Sequence, residues 1–484
     1  MNYIFLFYFF ALSSAIDLTC PQSAITINTP EGGFPADGIS FFPANYTCKI
    51  QVINHQLQDA NRILQFIIPD GQVVRIDVQT NTRYYSADAI AGIDMTRNYY
   101  RLSSDEPVFF APANNATVQI KTVFNISTFY FTWKYTDVTS LKTVQKSTGS
   151  IISMNFDKDT AYIFTSSSSQ VAFHIANYLW LPNGMTSKLY VYDGPNAASK
   201  FLGNYDMYQY NNNHSTGSSL TIVNFYGSRV ESYGIANDWS ALSSYEGYSF
   251  VLLSSTPNNY LDTTSFGRKT ALTFYTNTSQ ECSILELAFL HPNRTGHSVE
   301  IRPLTPTHWM KPLLNYSYED TISSMLPQQI LSDTFTVELV QSDVVIYAQS
   351  GRAENWTNLS PGRKGSLISQ SLWNPTAQLP KIYTDTFSSS ETVRLEFDFK
   401  SVVVEKGDGN FGITVHAADS KLVSMQFDDT SSYTGSNYAY GVKMDLRSTS
   451  VSDGSSYYVN FLVGASSSYT IFVCLALVFS FSGL

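Results

Sequence analysis

Charge is scarce in this chain. Of its 484 residues only 14% are Asp, Glu, Lys or Arg, against roughly 25% in an average soluble protein, and Ser, Thr, Asn, Tyr and Phe fill the difference. The charges sum to −10 and gather into no basic stripe, so nucleic acid is excluded as a partner. Cysteine is rarer still, with four in all, and no CxxC or Cys/His spacing offers a zinc site. Neither HExxH nor GxSxG occurs, and His291, His297 and His308 read as separate residues on polar loops. Hydrolytic chemistry would therefore need a nucleophile, a base and an orienting acid assembled from distant segments, with His291 or His416 as the place to look. No enzyme and no cofactor are expected. Helical periodicity is also scarce, which leaves strands as the main material.

Charge is missing altogether from the two ends. No charged side chain precedes Asp17, and Ile4 to Leu12 is an apolar run closing on Ser13-Ser14-Ala15. Small residues at that exit predict a signal peptide over residues 1–15, although its n-region holds no Lys or Arg; a buried apolar strand is the alternative. Asp453 is the last charge, and Tyr469 to Leu484 is apolar throughout. That run is shorter than the ~20 residues of a spanning helix and has no basic stop on its far side. It fits a GPI-attachment signal, residues 465–484, with an ordinary tail anchor as the alternative. Two triplets could accept the lipid, Asp453-Gly454-Ser455 and Gly464-Ala465-Ser466. The second is preferred, because the first cut would remove a strand-like Tyr457 to Val463.

Secretion frames the cysteines. With Cys474 in the discarded tail, Cys20 and Cys48 are the natural pair, 28 positions apart, and such a loop would contribute about 3 kcal/mol. Cys282, in Cys282-Ser283-Ile284-Leu285, reads as a buried free thiol in a strand, with an intermolecular bridge as the alternative. Nine Asn-x-Ser/Thr sequons occur, at Asn45, Asn115, Asn125, Asn213, Asn277, Asn293, Asn315, Asn355 and Asn358. Their spread predicts glycan-bearing loops along the whole chain.

Strand signals recur along the sequence. Ser187 to Tyr205 is a strand, an Asp193-Gly194-Pro195-Asn196 turn and the start of another strand, with Leu189 and Val191 on one face and Tyr190 and Tyr192 on the other. Thr139 to Thr148 and the stretch beginning Pro257-Asn258-Asn259 read as polar linkers. Further strands are expected at Leu272 to Tyr275, Ile284 to Leu290, Val299 to Ile301, Phe335 to Val340 and Val344 to Ala348. In Val393 to Lys400 apolar and charged residues alternate one by one, the period of a half-buried strand. Gly407 to Gly412 matches GxGxxG, but no helix follows to hold a pyrophosphate, so a hairpin turn is expected. Asn155 to Asp159 spaces oxygen ligands as a calcium loop does, but lacks the following Gly and the distant Glu; no metal is expected there. Tyr205 to Tyr210 is the expected exposed aromatic edge, a surface for binding.

Several of these strands resemble those of a known family. Leu189-Tyr190-Val191-Tyr192-Asp193-Gly194 followed by Leu202-Gly203 is similar to the signature of CUB domains. Cys20-Pro21, then Phe42-Pro43-Ala44-Asn45-Tyr46-Thr47-Cys48, resembles the opening of such a module, and Ile68 to Val78 its Pro-x-Gly turn and next strand. Ser218 to Phe225 and Tyr245 to Leu252 are similar to its closing strands. The resemblance covers roughly residues 18 to 255 and is strongest to the nematode CUB-like proteins that are secreted or GPI-linked. Two departures matter: the second disulfide of such a module would need cysteines near Gly184 and at Asp206, and the aspartate of its calcium site is replaced by Ser187.

The resemblance implies an all-β chain of tandem antiparallel, jelly-roll type β-sandwich modules. The expected modules are residues 16–138 and 145–255, with two further sandwiches at 262–349 and 358–464. It also implies a GPI-anchored recognition protein on the outer face of the plasma membrane, in membrane rafts, acting in the innate immune response on a protein or carbohydrate ligand. A structural glycocalyx or matrix glycoprotein without a soluble ligand is the alternative.

Overall fold

The computed structural model describes residues 25–34, 38–41, 62–121, 127–177, 181, 184–210, 214–227, 231–262, 268–290, 296–375, 382–407, 409–428, 432–449 and 454–465. The chain is all-β, and its longest described helix, Tyr205–Tyr210, has six residues. It divides into two compact units, Met1–Ser240 and Ala241–Leu484.

The first unit opens with an eight-stranded sheet. Its axis is the 19-residue strand Arg62–Thr80, which pairs antiparallel with Val108–Lys121 on one side and Thr128–Asp137 on the other. Pro69-Asp70-Gly71 interrupts the register between Ile68 and Val73, and Gly71 takes a φ of +75° that suits glycine. Leu64, Phe66 and Ile68 before the interruption and Val74, Ile76 and Val78 after it all turn into one core. The edge is the hairpin of Ala89–Ile93 and Tyr99–Leu102.

The rest of this unit is a sandwich. A five-stranded sheet runs in the order Lys200–Asn204, Leu189–Asp193, Ser219–Asn224, Thr160–Thr165 and Lys142–Ser147, and a three-stranded sheet holds Ile151–Ser153, Tyr233–Asp238 and Val171–Ile175. Leu189 and Val191 fill the core between the two sheets. Tyr190 and Tyr192, on the opposite face, are fully buried as well: with Phe201 and Phe225 they pack on Val73 and Phe110 of the first sheet and on Val138 just beyond it. Tyr190 donates its hydroxyl to the Phe110 carbonyl at 2.6 Å. The two halves of the unit therefore share a second apolar core that alternation within one strand cannot reveal.

Three expectations are corrected here. Thr139 to Thr148 is no linker, since Lys142–Ser147 pairs in parallel with Thr160–Thr165; its side chains are largely exposed, so backbone hydrogen bonds alone make it a strand. Asn258–Asp262 is likewise a strand, antiparallel to Val344–Ser350, with Tyr260 buried. Gly247–Leu252, read as the closing strand of the module 145–255, pairs in parallel with Lys269–Tyr275 of the second unit, and Val251 enters that unit's core. Residue pattern marks a strand but not its partner.

In the second unit a five-stranded sheet begins with Gly247–Leu252, and a four-stranded sheet holds Asn258–Asp262, Val344–Ser350, Cys282–Phe289 and Gln328–Ile330. Phe274, Ile284, Phe335, Ile346 and Trp373 belong to one core of this unit. A six-stranded antiparallel sheet follows, in the order Lys364–Ile368, Ser456–Gly464, Ile382–Val403, Ser432–Thr449, Asn410–His416 and Leu422–Asp428. Val393, Leu395, Phe397 and Phe399 alternate into its core as their period requires, each burial stabilising by ~1.5–3 kcal/mol. Gly407 to Gly412, expected as a hairpin turn, is not one: Ser432–Thr449 lies between Ile382–Val403 and Asn410–His416 in the sheet, and Asn410 to Gly412 already belong to the latter strand. Gly409 sits at φ +101°, where an added Cβ would meet the Thr449 carbonyl oxygen.

Candidate functional site

Large side chains are left in solvent mainly where packing cannot use them, so an exposed cluster marks a binding surface. The first sheet carries one. Asn81 accepts from the Thr128 amide at 2.8 Å, and the Arg83 amide donates to Ser86 Oγ at 2.9 Å while Ser86 N returns to the Arg83 carbonyl at 3.0 Å. That turn carries Arg83, Tyr84 and Tyr85 outward, and Tyr85 is 94% exposed.

Arg101 meets this loop from the edge strand Tyr99–Leu102 and donates Nη2 to the Ser86 carbonyl. Its guanidinium lies 5.6 Å from the Tyr84 ring centroid, and Tyr84 meets Tyr85 edge to face at 5.1 Å. Tyr99 is two residues before Arg101 and so shares its face of the strand; it is exposed, while Tyr100 and Leu102 turn to the core.

The hairpin tip next to Tyr99 is held by Asp94. Its Oδ1 accepts from Thr96 N at 2.9 Å, Thr96 Oγ1 at 2.6 Å and Asn98 N at 3.1 Å, and Oδ2 accepts from the Tyr100 hydroxyl at 3.2 Å. Burial lifts this carboxyl above the usual carboxylate range, against those hydrogen bonds. Arg97 projects from the tip at φ +67°.

Two of the acids of this region face inward, while Asp105 and Glu106 are exposed beside it. Asp88 and Asp94 are buried, and Glu106 lies 3.6 Å from Lys188. Among the described residues Arg83, Arg97 and Arg101 form no ion pair. On a chain of net charge −10 this edge is a cationic, tyrosine-rich surface, the composition in which binding hot spots are enriched. The sequence carries a usable signal for this surface in Arg83-Tyr84-Tyr85 and then Tyr99-Tyr100-Arg101.

The expected aromatic edge is elsewhere and is not an edge. Tyr205–Tyr210 is a helix whose Tyr205 and Tyr208 are fully buried, their hydroxyls accepting from the amides of Ile175 at 2.9 Å and Phe173 at 3.2 Å. A spacing of three places both rings on one side of a helix, and that side faces the core.

Cys20, Cys48, Asn45, Asn125, Asn213, Asn293, His291 and Ser466 lie outside the described residues. Asn115, Asn277, Asn315, Asn355 and Asn358 are exposed. Gly464 ends the last described strand and Ala465 is exposed just beyond it. Cys282 is a buried free thiol whose pKa burial pushes up. His297 is buried rather than solvated, and His308 Nδ1 meets Thr305 Oγ1 at 2.8 Å. His416 lies 2.6 Å from Asp445. Burial alone would raise that carboxyl, but hydrogen bonds from Lys443, Thr386 and His416 hold it below the usual range. The hydroxyl of Thr386 donates to the acid and not to the imidazole, so no activated nucleophile results.

The segment carrying the Arg–Tyr surface can be placed. Residues 15–139 match the CUB-like domain family. This segment is similar to CUB-like domains. No curated protein matches the chain significantly. Among solved structures, the CUB1-EGF-CUB2 domains of rat MASP-1 align at 9% identity over 44% of this chain and 99% of that one, with a TM-score of 0.16. The same domains of human MASP-1/3 align at 10% identity over 67% and 100%, with a TM-score of 0.17. Overlaps of that size say nothing further about the chain. Among the described residues no helix is long and apolar enough to cross a membrane.

Proposed function

We propose that this is a secreted, GPI-anchored recognition protein of the outer plasma membrane, held in membrane rafts. Its CUB-like domain binds a ligand that carries negative charge, either a protein or a carbohydrate. The observation that carries this reading is the surface of exposed Arg83, Tyr84, Tyr85 and Tyr99 with half-buried Arg101 on the segment matched by the family. The apolar ends and the resemblance to secreted or GPI-linked nematode CUB-like proteins support the anchor and a role in the innate immune response. A saturated lipid tether packs into ordered outer-leaflet membrane, which supports the raft location.

Two measurements test the reading. Phosphatidylinositol-specific phospholipase C should release the protein from intact cells; retention at the membrane refutes the anchor. Binding of the purified chain to microbial surfaces and to acidic polysaccharides should weaken as salt rises and be lost on replacing Tyr85 and Arg101 with Ala. The exposure of all five described sequon asparagines favours a second reading, a glycan-covered structural component of the cell surface. Binding unaffected by the Tyr85 and Arg101 replacements would select it.

A further inference from the structure

The second unit contains a cleft of about 560 Å³ with mixed polar and apolar lining, within the ~300–1,000 Å³ span of small-ligand sites. Strand register lays out its floor, the outward face of the six-stranded sheet. Glu396 stands opposite Tyr438, and Asp398 stands between Ser436 and Asn460, with Ser366 next in the same row. The facing wall is the edge strand Leu314–Ser317 together with Gln328. Leu314 and Tyr316 turn into the core of their own sandwich, while Asn315 is exposed.

The two walls are pinned. Gln328 Nε2 donates to the Ser366 carbonyl at 2.8 Å, and its Oε1 accepts from the Ser366 amide at 3.1 Å, so one side-chain amide replaces a strand partner. Tyr458 donates its hydroxyl to the Leu313 carbonyl at 2.7 Å. A cleft held in this way costs little to order on binding.

Its lining suits a sugar. Tyr438 is 57% exposed and offers a flat ring, with the Arg394 guanidinium 5.1 Å from its centroid. The row of Ser366, Asn460, Asp398 and Ser436 supplies hydroxyl, amide and carboxylate groups for ring hydroxyls. Glu396 and Asp398 are paired with Arg394 at 3.3 Å and Lys400 at 2.6 Å, so the cleft favours a polar ligand over an ionic one. Asn315, at its rim, opens the sequon Asn315-Tyr316-Ser317.

From this placement we propose that the cleft seats the first sugars of an N-glycan attached to Asn315, with an N-acetylglucosamine ring on the face of Tyr438. The proposal rests on the secretory reading above. The test uses the full chain secreted from eukaryotic cells, with site-by-site mass spectrometry during native digestion by peptide N-glycosidase. Release from Asn315 should be about ten-fold slower than from Asn277 and Asn355, the effect of one good contact. Tyr438→Ala should bring Asn315 to the rate of the other sites, and Tyr438→Phe should keep it slow. Glycans on other sequons with none on Asn315, equal release rates in the unaltered chain, or no effect of Tyr438→Ala would each overturn the proposal and leave the secretory reading standing. A chain with no glycan at any sequon would remove both.

Discussion

Replacing Tyr190 probes the contact that makes the first unit one body. Its side chain is fully buried, lies against Phe201, Phe225 and Tyr226, and donates its hydroxyl to the Phe110 carbonyl of the other half. Tyr190→Ala removes the ring and leaves a cavity, a loss of about 4 kcal/mol. For a unit of this size that is a fall in melting temperature of about 12 °C. Tyr190→Phe keeps the ring and takes away only the hydroxyl, leaving the Phe110 carbonyl short of a donor, so the loss should be about 1.5 kcal/mol, or roughly 4 °C. Calorimetry of the secreted chain measures both, with hydrogen exchange at residues 189–193 assigning the transition. Equal effects from the two variants, or a fall below about 2 °C for Tyr190→Ala, would refute the shared core as a source of stability.

Three further outcomes are expected. Arg101→Ala should weaken ligand binding by about 2 kcal/mol, roughly thirty-fold, while Tyr85→Ala leaves stability within ~0.5 kcal/mol; titration and denaturant unfolding separate the two readouts. Burial lowers the His174 pKa from 6.5 to about 4. A base with a depressed folded pKa contributes stability that is full above pH ~6.5 and is lost as pH falls toward 4, because the unfolded chain binds the proton first. Part of this side chain still reaches the surface, so about 3 kcal/mol is the upper bound, and unfolding at pH 7 and pH 4.5 should show a difference that His174→Gln removes. Glu338, nearly fully buried, accepts from the Tyr245 hydroxyl at 3.0 Å and meets Arg302 at 3.1 Å and Lys269 at 2.5 Å. Glu338→Gln should cost ~3 kcal/mol by taking the carboxylate from Lys269 and leaving Arg302 with Glu300 alone, read as a lower denaturant midpoint.

Local pattern determined much of this protein. Alternation in Val393 to Lys400 follows from side-chain period, which is a property of a short segment, so it was legible before any fold was known. The same holds for the Ile68 to Val78 motif of the segment matched by the CUB-like family, which lies in the strand Arg62–Thr80. Tertiary structure decided the rest. Lys142–Ser147 is a strand through backbone bonds to a neighbour, with no apolar face to announce it. Tyr205 and Tyr208 are core because a helix turns them inward, whereas Tyr84 and Tyr85 stay in water because a turn between Arg83 and Ser86 carries them past the sheet edge. Both places are rich in tyrosine. Whether an aromatic ring packs or recognises depends on which segment arrives beside it, and that is settled by long-range pairing.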